Sequence, residues 1–464
     1  MKPTSLPEHP AQRIAFLSVL LSPFAFGAVA LNVWVPLCWL WILLAPVSLW
    51  ERRGIRATTG DRPPLLGPPA LIGAYLLILA QIVPLPAAAL AHISPGSFSA
   101  HFIPPPGRGA LAPMTVSATG TYQALLFLAG VHALGIVLFS DGAERVRHQT
   151  ERVLWGMAAV GSALALEGLV QAGSPHPFWL YSMFEVPGAG PHEGGIFGPY
   201  YNRDHYSNII AIAGSVAAGL LGNRITLAQE KRASSVLGAK DFYRHLALIA
   251  ALVLMAVASA ASGSRGGLAA FGVGLCIGLG PALMKKPRFA VACLVVAVLA
   301  LFGTGVPSAF ERMADVDFEN SRLLVWSDAL RLVQFFPVFG CGFGGFAVAY
   351  WPYQRVVRFE YWPHAHNEYL QWMLEGGLLG VALALYAARR VLNAAPQLIS
   401  EHGLRPVLAG LGAAFTHAFV ESPFRIPANA AWVGLLIFAI RSWSPFSRRS
   451  TEGSGRTSEG ESPG

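Results

Sequence analysis

Twelve long apolar runs limit the fold of this chain more than any other feature. Each approaches the roughly 20 residues that a helix needs to cross a bilayer. Charged residues make up only 12% of the 464 residues, about half of the usual share in soluble domains. We therefore expect an all-α polytopic integral membrane protein with about 12 transmembrane helices. The expected spans are 14–31, 33–50, 65–83, 121–140, 153–172, 206–222, 245–263, 266–284, 289–306, 369–388, 406–420 and 426–441.

The first apolar run ends in Ala28-Val29-Ala30, which resembles a signal-peptidase site. A second apolar run follows at once, so we expect an uncleaved first helix.

The distribution of lysine and arginine gives the expected orientation. If the N-terminus is cytoplasmic, 24 of the 33 basic residues fall in the inside segments. This bias is typical of membrane proteins, so the net charge of +8 indicates orientation and no nucleic-acid partner. The nine basic residues left outside are all arginines: Arg108, Arg203, Arg265, Arg312, Arg322, Arg331, Arg355, Arg358 and Arg425.

The longest outer connection is 307–368, and we expect short helices within it. Smaller outer connections cover 84–120 and 173–205. The tail 442–464 is rich in Ser, Gly, Glu and Arg, which is typical of a disordered segment.

Two outer arginines lie where they can meet an anion. Arg265 is in a Ser-Gly-Ser-Arg-Gly-Gly turn between two spans, and it either contacts lipid phosphate or lines a polar cavity. Arg322 follows Ser321 in an amphipathic segment, where we expect both residues near the start of a surface helix. Helix starts favour negative ligands. The alternative for Arg322 is a solvated interfacial charge.

His366 lies beside the opening turn of a predicted span. A histidine there can act as a general base near neutral pH, or it can cap or pack against the helix. His364 is two residues away, but a third metal ligand is not evident in the sequence. Asp315, Asp317 and Glu319 lack the glycine turn of a calcium loop, so we expect a solvated loop. We expect no metal and no cofactor.

Three ionisable residues fall inside apolar runs, and each is either functional or a structural hydrogen-bond partner between helices: Glu167, Glu375 and His417. Aromatic residues crowd the long outer loop, where they form either an interfacial belt or faces for sugar rings. They are Tyr350, Trp351, Tyr353, Phe359, Tyr361 and Trp362.

Several of these motifs together resemble the O-antigen ligase and polymerase superfamily. His366-Asn367, nine residues, Gly377, two residues and Gly380 match the ligase-type pattern. The Ser-Arg-Gly-Gly turn at 264–267 and the Ser321-Arg322 segment before the glycine-rich run 339–345 also match. The run 200–208, which contains Asn202 and His205, is similar to the opening of the family's domain. We expect a ligase-like domain at 191–441, after N-terminal helices in 1–190 and before a cytoplasmic tail.

The resemblance implies a multi-pass glycosyltransferase of the bacterial inner membrane, with both termini cytoplasmic and a periplasmic long loop. It would move a glycan from undecaprenyl diphosphate to a hydroxyl of lipid A–core, in lipopolysaccharide biosynthesis. His366 would activate the acceptor, while Arg265 and Arg322 would bind the diphosphate. Diphosphate or glycan contacts are also expected from Arg203, His205, Asn202, Asn367 and Trp362.

The expected chemistry needs no metal ion. Arginine stays protonated and forks to phosphate oxygens, so it can stabilise the leaving diphosphate. A single displacement would invert the anomeric centre.

Three other functions remain open. The nearest is an O-antigen or exopolysaccharide polymerase that uses the same donor and a lipid-linked acceptor. The segment 417–429 resembles less characterised members of the superfamily. A protein-directed oligosaccharyltransferase and a polysaccharide transporter are the remaining alternatives.

Overall fold

The computed structural model describes residues 7–53, 69–102, 106–107, 109–141, 143–173, 197–230, 239–283, 316–355, 362–400 and 403–441. These ranges are almost entirely helical. Their fifteen α-helices are α1 Pro10–Leu21, α2 Leu31–Glu51, α3 Pro69–Ile82, α4 Ala87–Ile93, α5 Pro95–His101, α6 Ala118–Phe139, α7 Ala143–Ala172, α8 Arg203–Glu230, α9 Ala239–Ala261, α10 Arg265–Leu283, α11 Val316–Leu332, α12 Phe346–Tyr350, α13 Glu368–Ser400, α14 Arg405–His417 and α15 Pro427–Arg441.

Six of these helices are long and apolar enough to cross a membrane, namely α2, α6, α7, α8, α9 and α13. Three shorter apolar helices, α3, α10 and α15, add to them. The polytopic helical class is therefore confirmed, whereas the predicted number of twelve spans is not. Ten of the predicted spans each coincide with one helix. The predicted span 289–306 and the tail 442–464 lie outside the described residues.

The prediction of one helix over 14–31 is wrong. α1 ends at Leu21, and two short 3-10 helices, Ser22–Phe24 and Phe26–Ala28, follow it. Pro23 brings no N–H to a continuing helix, and Gly27 has a left-handed φ of 68°. A side chain at Gly27 would also lie within 2.6 Å of the Tyr200 ring. The segment therefore turns where an aromatic side chain packs against its backbone.

Helix α8 lies at the centre of the described helices. Of its most apolar window, 83% is buried within the protein, against 22–44% for the other five long apolar helices. Glycines let its neighbours approach closely: a Cβ at Gly222 would lie 2.1 Å from the Gly278 carbonyl of α10, and one at Gly219 would lie 2.3 Å from Pro406 of α14. Small residues at such contacts are typical of packed membrane helices. The second half of α8 is therefore packed closely against α10 and the start of α14.

The two outer connections that the structure describes are folded. Residues 84–120 contain α4, α5 and a short antiparallel hairpin, in which Pro84 pairs with Pro113 and Pro86 with Leu111. The long connection contains α11 and α12, as expected of short helices. However, α11 begins at Val316, so Asp317 and Glu319 are helical and the expectation of a loop there is wrong. Acidic residues near a helix start interact favourably with the helix dipole, so they are compatible with the first turn of a helix.

The helix α13 is broken at Gly377, whose φ of 60° and ψ of −160° are open essentially only to glycine. The preceding glycine-rich run closes the gap. Leu378 N donates to Pro337 O at 2.9 Å, and Cys341 N donates to Leu374 O at 2.9 Å. The spacing of His366 and Gly377 therefore corresponds to the first segment of α13, which begins after His366 and ends at the break at Gly377.

Candidate active site

The start of α8 brings one acid and one histidine to the site. Asn202 caps the helix, because its Oδ1 accepts the backbone N–H of Asp204 at 2.7 Å. Its predicted role in substrate binding therefore competes with a structural one. Arg203 and His205 lie in the same first turn and are half-buried. Asn429 of α15 donates to the His205 carbonyl at 3.0 Å, which ties this turn to the last helix.

The Ser-Arg-Gly-Gly turn starts α10 against the same place. Ser264 Oγ accepts the N–H of Gly267 at 3.2 Å and donates to Asp204 Oδ1 at 2.5 Å. Gly266 allows close contact on the other side, since a Cβ there would lie 2.6 Å from Val420 and 3.0 Å from His417. Arg265 stands between Ser264 and Gly266, and its side chain is exposed. The turn therefore holds the Arg265 backbone at the site.

Arg322 reaches the site from α11. Its Nη1 donates to Val420 O at 2.9 Å, and its Nη2 lies 3.1 Å from Glu421 Oε2 and 3.7 Å from Asp204 Oδ2. The expectation that Arg322 is near a helix start is wrong, because α11 begins six residues earlier, at Val316. The guanidinium of Arg322 therefore contacts two carboxylates. The free N–H groups at the start of α11 are about a turn and a half away from it in the sequence.

His366 and Glu421 form a short polar contact at the centre of the site. His366 Nδ1 lies 2.6 Å from Glu421 Oε1. An ionised carboxylate only accepts hydrogen bonds, so His366 Nδ1 donates in this contact, and a neutral imidazole held this way has its lone pair on Nε2. His205 Nε2 lies 3.8 Å from the same oxygen, and Ser422 N donates to it at 2.9 Å. The contact with Glu421 fixes the orientation of the His366 ring.

Glu421 is almost fully buried, with 1% of its surface exposed. Burial alone would raise the pKa of its carboxyl, but His366, His205 and Arg322 together hold that pKa well below its usual range. The carboxylate is therefore ionised at neutral pH. Three positive or polar neighbours thus fix one buried negative charge beside the candidate base.

The backbone at His366 is unusual. Its φ of 51° is left-handed, which is uncommon for a residue other than glycine. Such conformations persist where the surroundings enforce them, and they cluster at functional sites. The edge of the Trp362 ring meets the imidazole at a centroid distance of 5.4 Å and an angle of 86°. Trp362 is buried, so it supports the histidine and does not present an open face for a sugar.

The two polar neighbours of His366 in sequence have structural partners. Asn367 Oδ1 accepts the N–H of Leu370 at 3.0 Å and so caps α13. His364 Nδ1 lies 3.4 Å from Gln371 Nε2. Burial, with help from Arg425 and two histidines, lowers the pKa of His364 to about 3, so this ring is neutral at physiological pH. Of the two histidines, His366 is the one that hydrogen-bonds to the buried carboxylate of Glu421.

A second buried cluster lies behind His366. Arg425 Nε lies 3.3 Å from Glu368 Oε2, and its Nη1 lies 2.8 Å from Glu375 Oε2. Glu375 is thus part of an ion cluster, which is one of the two possibilities that its sequence position allows. His417 is fully buried at the end of α14, and its ring nitrogens have no hydrogen-bond partner among the described residues.

The long-loop aromatics fall into two groups. Tyr350 is buried and stacks on Phe346 at 5.3 Å, whereas Trp351 and Tyr353 are exposed. Phe359 and Tyr361 lie outside the described residues. The loop therefore combines core aromatics with exposed ones.

Sequence reasoning missed four charged residues of the site: Asp204, Glu368, Glu421 and Arg425. The available signal was the segment 417–429, where an acid and an arginine directly follow an apolar run. Within the described ranges, no group of three or more His, Cys, Asp or Glu side chains is arranged to hold a metal ion.

These features define a class: a helical membrane protein in which the ends of several helices gather a histidine–carboxylate pair and arginines. Residues 250–385 match the family model of O-antigen ligase, which confirms the predicted resemblance to the O-antigen ligase and polymerase superfamily. The match contains Arg265, Arg322 and His366, and it supports a ligase- or polymerase-type membrane glycosyltransferase. A search of curated proteins finds no match to the chain.

Proposed function

We propose that this protein transfers a glycan from undecaprenyl diphosphate to an acceptor hydroxyl, as an O-antigen ligase with lipid A–core as acceptor. The transfer is inverting and uses no metal ion. The observation that carries the proposal is the contact of His366 with Glu421 at 2.6 Å, with Arg322 on the other oxygen of the same carboxylate at 3.1 Å. The arrangement places a base beside a cation that suits a diphosphate.

In the proposed reaction, the acceptor oxygen attacks the anomeric carbon of the donor sugar. The bond from that carbon to the diphosphate oxygen breaks, and the diphosphate leaves with the electron pair. His366 Nε2 takes the hydroxyl proton, and Glu421 stabilises the imidazolium that forms. Because the attack and the departure occur in one displacement, the anomeric configuration inverts.

The diphosphate is proposed to bind at Arg322, beside the helix starts that carry Arg203 and Arg265. Arginine forks to two phosphate oxygens and remains charged at any physiological pH. Asp204 and Glu421 both contact Arg322, so these two carboxylates and the three arginines leave one excess positive charge before the donor arrives. A diphosphate leaving group carries concentrated negative charge, which this excess favours.

The site is proposed to face the periplasm, with both termini in the cytoplasm. In the orientation given by the basic residues, the starts of α8, α10 and α13 and the end of α14 all lie outside. Ser264 contacts Asp204, His366 contacts Glu421, and Arg322 contacts both carboxylates, so these four ends lie together, which supports that orientation. The multi-pass topology of the bacterial inner membrane follows from the same proposal.

The test is an assay of the purified full chain with an undecaprenyl-diphosphate glycan. One reaction receives lipid A–core, a second receives another lipid-linked repeat, and His366→Ala serves as the inactive control. Glycan on lipid A–core supports the ligase, whereas a longer lipid-linked glycan shows a polymerase. Donor that crosses a vesicle membrane without transfer to any acceptor would overturn the proposed activity and favour a transporter.

A further inference from the structure

His366 and Glu421 must be held together although they belong to different parts of the chain. His366 precedes α13, while Glu421 follows α14. His366 also has a left-handed backbone, which its own helix does not impose. A hydrogen bond of 2.6 Å between them needs the two segments fixed to within a fraction of an ångström. The surrounding contacts show how this is done.

Glu368 joins the two segments on one side of the pair. Its backbone N–H donates to Ala418 O at 2.9 Å. Its carboxylate accepts the N–H of Phe424 at 2.9 Å and lies 3.3 Å from Arg425 Nε. Glu368 is two residues after His366, and its partners lie on both sides of Glu421 in the sequence. The start of α13 is therefore clamped around the segment that carries Glu421.

A second path reaches the residue before His366. Arg425 Nη1 contacts Glu375 at 2.8 Å, and Glu375 Oε1 accepts a hydrogen bond from Gln371 Nε2 at 3.1 Å. Gln371 Oε1 accepts the backbone N–H of Ala365 at 3.0 Å. Arg425 is thus linked to the backbone on both sides of His366, directly through Glu368 and in two steps through Glu375 and Gln371.

The helix α11 completes the support and adds the arginine of the site. Trp326 Nε1 donates to the carbonyl of Ala365 at 2.8 Å, while Arg322 contacts Glu421. These two residues are four apart and so lie on one face of the helix. Both backbone polar groups of Ala365 are therefore fixed, the N–H by Gln371 and the carbonyl by Trp326.

The cluster of Arg425, Glu368 and Glu375 depends on the forked shape of the guanidinium group. Glu368 and Glu375 are 1% and 0% exposed, and one guanidinium serves both carboxylates. Burial would lower the pKa of Arg425, but the two carboxylates outweigh it and raise that pKa, so the side chain stays charged. A lysine has one compact ammonium and cannot span two carboxylates as the planar fork does.

We propose that Arg425 is a positioning residue, which holds the backbone on both sides of His366 so that the imidazole meets Glu421 in the reactive geometry. This inference rests on the proposed function, because it assigns to Arg425 the alignment of the proposed base. Arg425 acts through Glu368, Glu375 and Gln371 and does not contact the substrate. Gln371 is the last link to the residue before His366.

The test compares the kinetics of Arg425→Lys and Gln371→Met with those of the wild type. We expect kcat to fall about 10- to 100-fold in each variant, as for loss of groups that orient a reactive residue. We expect KM for donor and acceptor to change less than threefold, because neither residue touches a substrate. Gln371→Met leaves the buried ion pairs intact, so it remains informative if Arg425→Lys folds poorly.

The matched control is Arg355→Lys, since Arg355 also bonds a buried acid, Asp328, and lies outside the site. It should keep wild-type kcat. A double variant separates positioning from general weakening: Arg425→Lys should cost much less in a Glu421→Gln background, because the alignment it protects is already impaired. Full additivity of the two losses, or a wild-type kcat in Gln371→Met, would overturn the inference.

The failure of this inference can be told from failure of the proposed function. A wild-type protein that transfers no glycan to any acceptor overturns the function and with it the role of Arg425. An active wild type with an impaired Glu421→Gln and unimpaired Arg425→Lys and Gln371→Met leaves the function intact and overturns the positioning role alone.

Discussion

Replacing Glu421 by glutamine tests the central contact of the site with a side chain of the same size. The variant keeps an oxygen that can accept from His366 Nδ1 and from Ser422 N, which lie 2.6 Å and 2.9 Å from Oε1. It removes the negative charge, and its amide would face the Nη2 of Arg322, 3.1 Å from the present Oε2. Two donors cannot hydrogen-bond to each other, so the arginine loses that partner.

The magnitude follows from these two contacts. A hydrogen bond to a charged group contributes about 1.5–3 kcal/mol, against about 0.5–1.5 kcal/mol for a neutral one. Losing the charge at His366 and the partner of Arg322 should therefore cost about 1.5–3 kcal/mol in the transition state. At about 1.4 kcal/mol for each tenfold change, kcat should fall about 10- to 150-fold.

The assay measures initial rates of glycan transfer by purified protein at saturating donor and acceptor. Asp328→Asn is the matched control, because Asp328 is also a buried, arginine-paired carboxylate but has no contact with His366. The control should keep wild-type kcat, and both variants should be compared for the yield of folded protein. A Glu421→Gln protein with kcat within twofold of the wild type would refute the reasoning that the carboxylate orients and stabilises the base.

Four further outcomes are expected. His366→Ala should abolish transfer while membrane insertion and abundance stay normal, and transfer at the wild-type rate would remove His366 from the role of base. Arg322→Lys and Arg265→Lys should each raise the donor KM about tenfold, because lysine loses the fork; unchanged donor binding in both would remove the diphosphate assignment. The pKa of Glu421 is lower in the folded state than in the unfolded state, so its carboxylate stabilises the protein above the unfolded pKa, and this stability is lost as the pH falls through the folded pKa. The difference in melting temperature between Glu421→Gln and wild type should therefore be constant from about pH 8 to pH 5 and shrink in stronger acid. Gly377→Ala should lower the free energy of unfolding by about 1–3 kcal/mol, seen as a lower melting temperature in detergent; its added Cβ would lie 2.5 Å from facing backbone atoms.

Much of the fold could be predicted because a bilayer restricts the options. Spanning segments must be helical and apolar, so hydropathy alone locates them. The prediction of one helix over 14–31 is wrong because Pro23 and Gly27 interrupt the helix, although the sequence stays apolar throughout. The predicted start of α11 is wrong for the opposite reason. Acidic residues such as Asp317 and Glu319 indicate a solvated loop, but they are also favourable in the first turn of a helix.

The site could be predicted only in part. His366, Arg265 and Arg322 stand out because they lie at predicted span ends and in recognisable motifs. Glu421 did not stand out, since it is about 55 residues from His366 in sequence and its relevance arises only when α14 packs against the start of α13. A single sequence does not give this pairing, because the register between two packed helices depends on tertiary contacts such as Gly266 against His417.

Charge balance explains why a carboxylate belongs between the base and an arginine in the proposed reaction. As the acceptor proton moves to His366, an imidazolium forms next to Glu421, which is already ionised and needs no rearrangement to stabilise it. At the same moment negative charge grows on the leaving diphosphate. Arg322, which contacts Glu421, is the arginine proposed to stabilise that charge. Glu421 therefore holds the arginine in place before the donor binds and stabilises the base once the proton has moved. Neither function alone would require a buried carboxylate to contact both residues at 2.6 Å and 3.1 Å, and together they do.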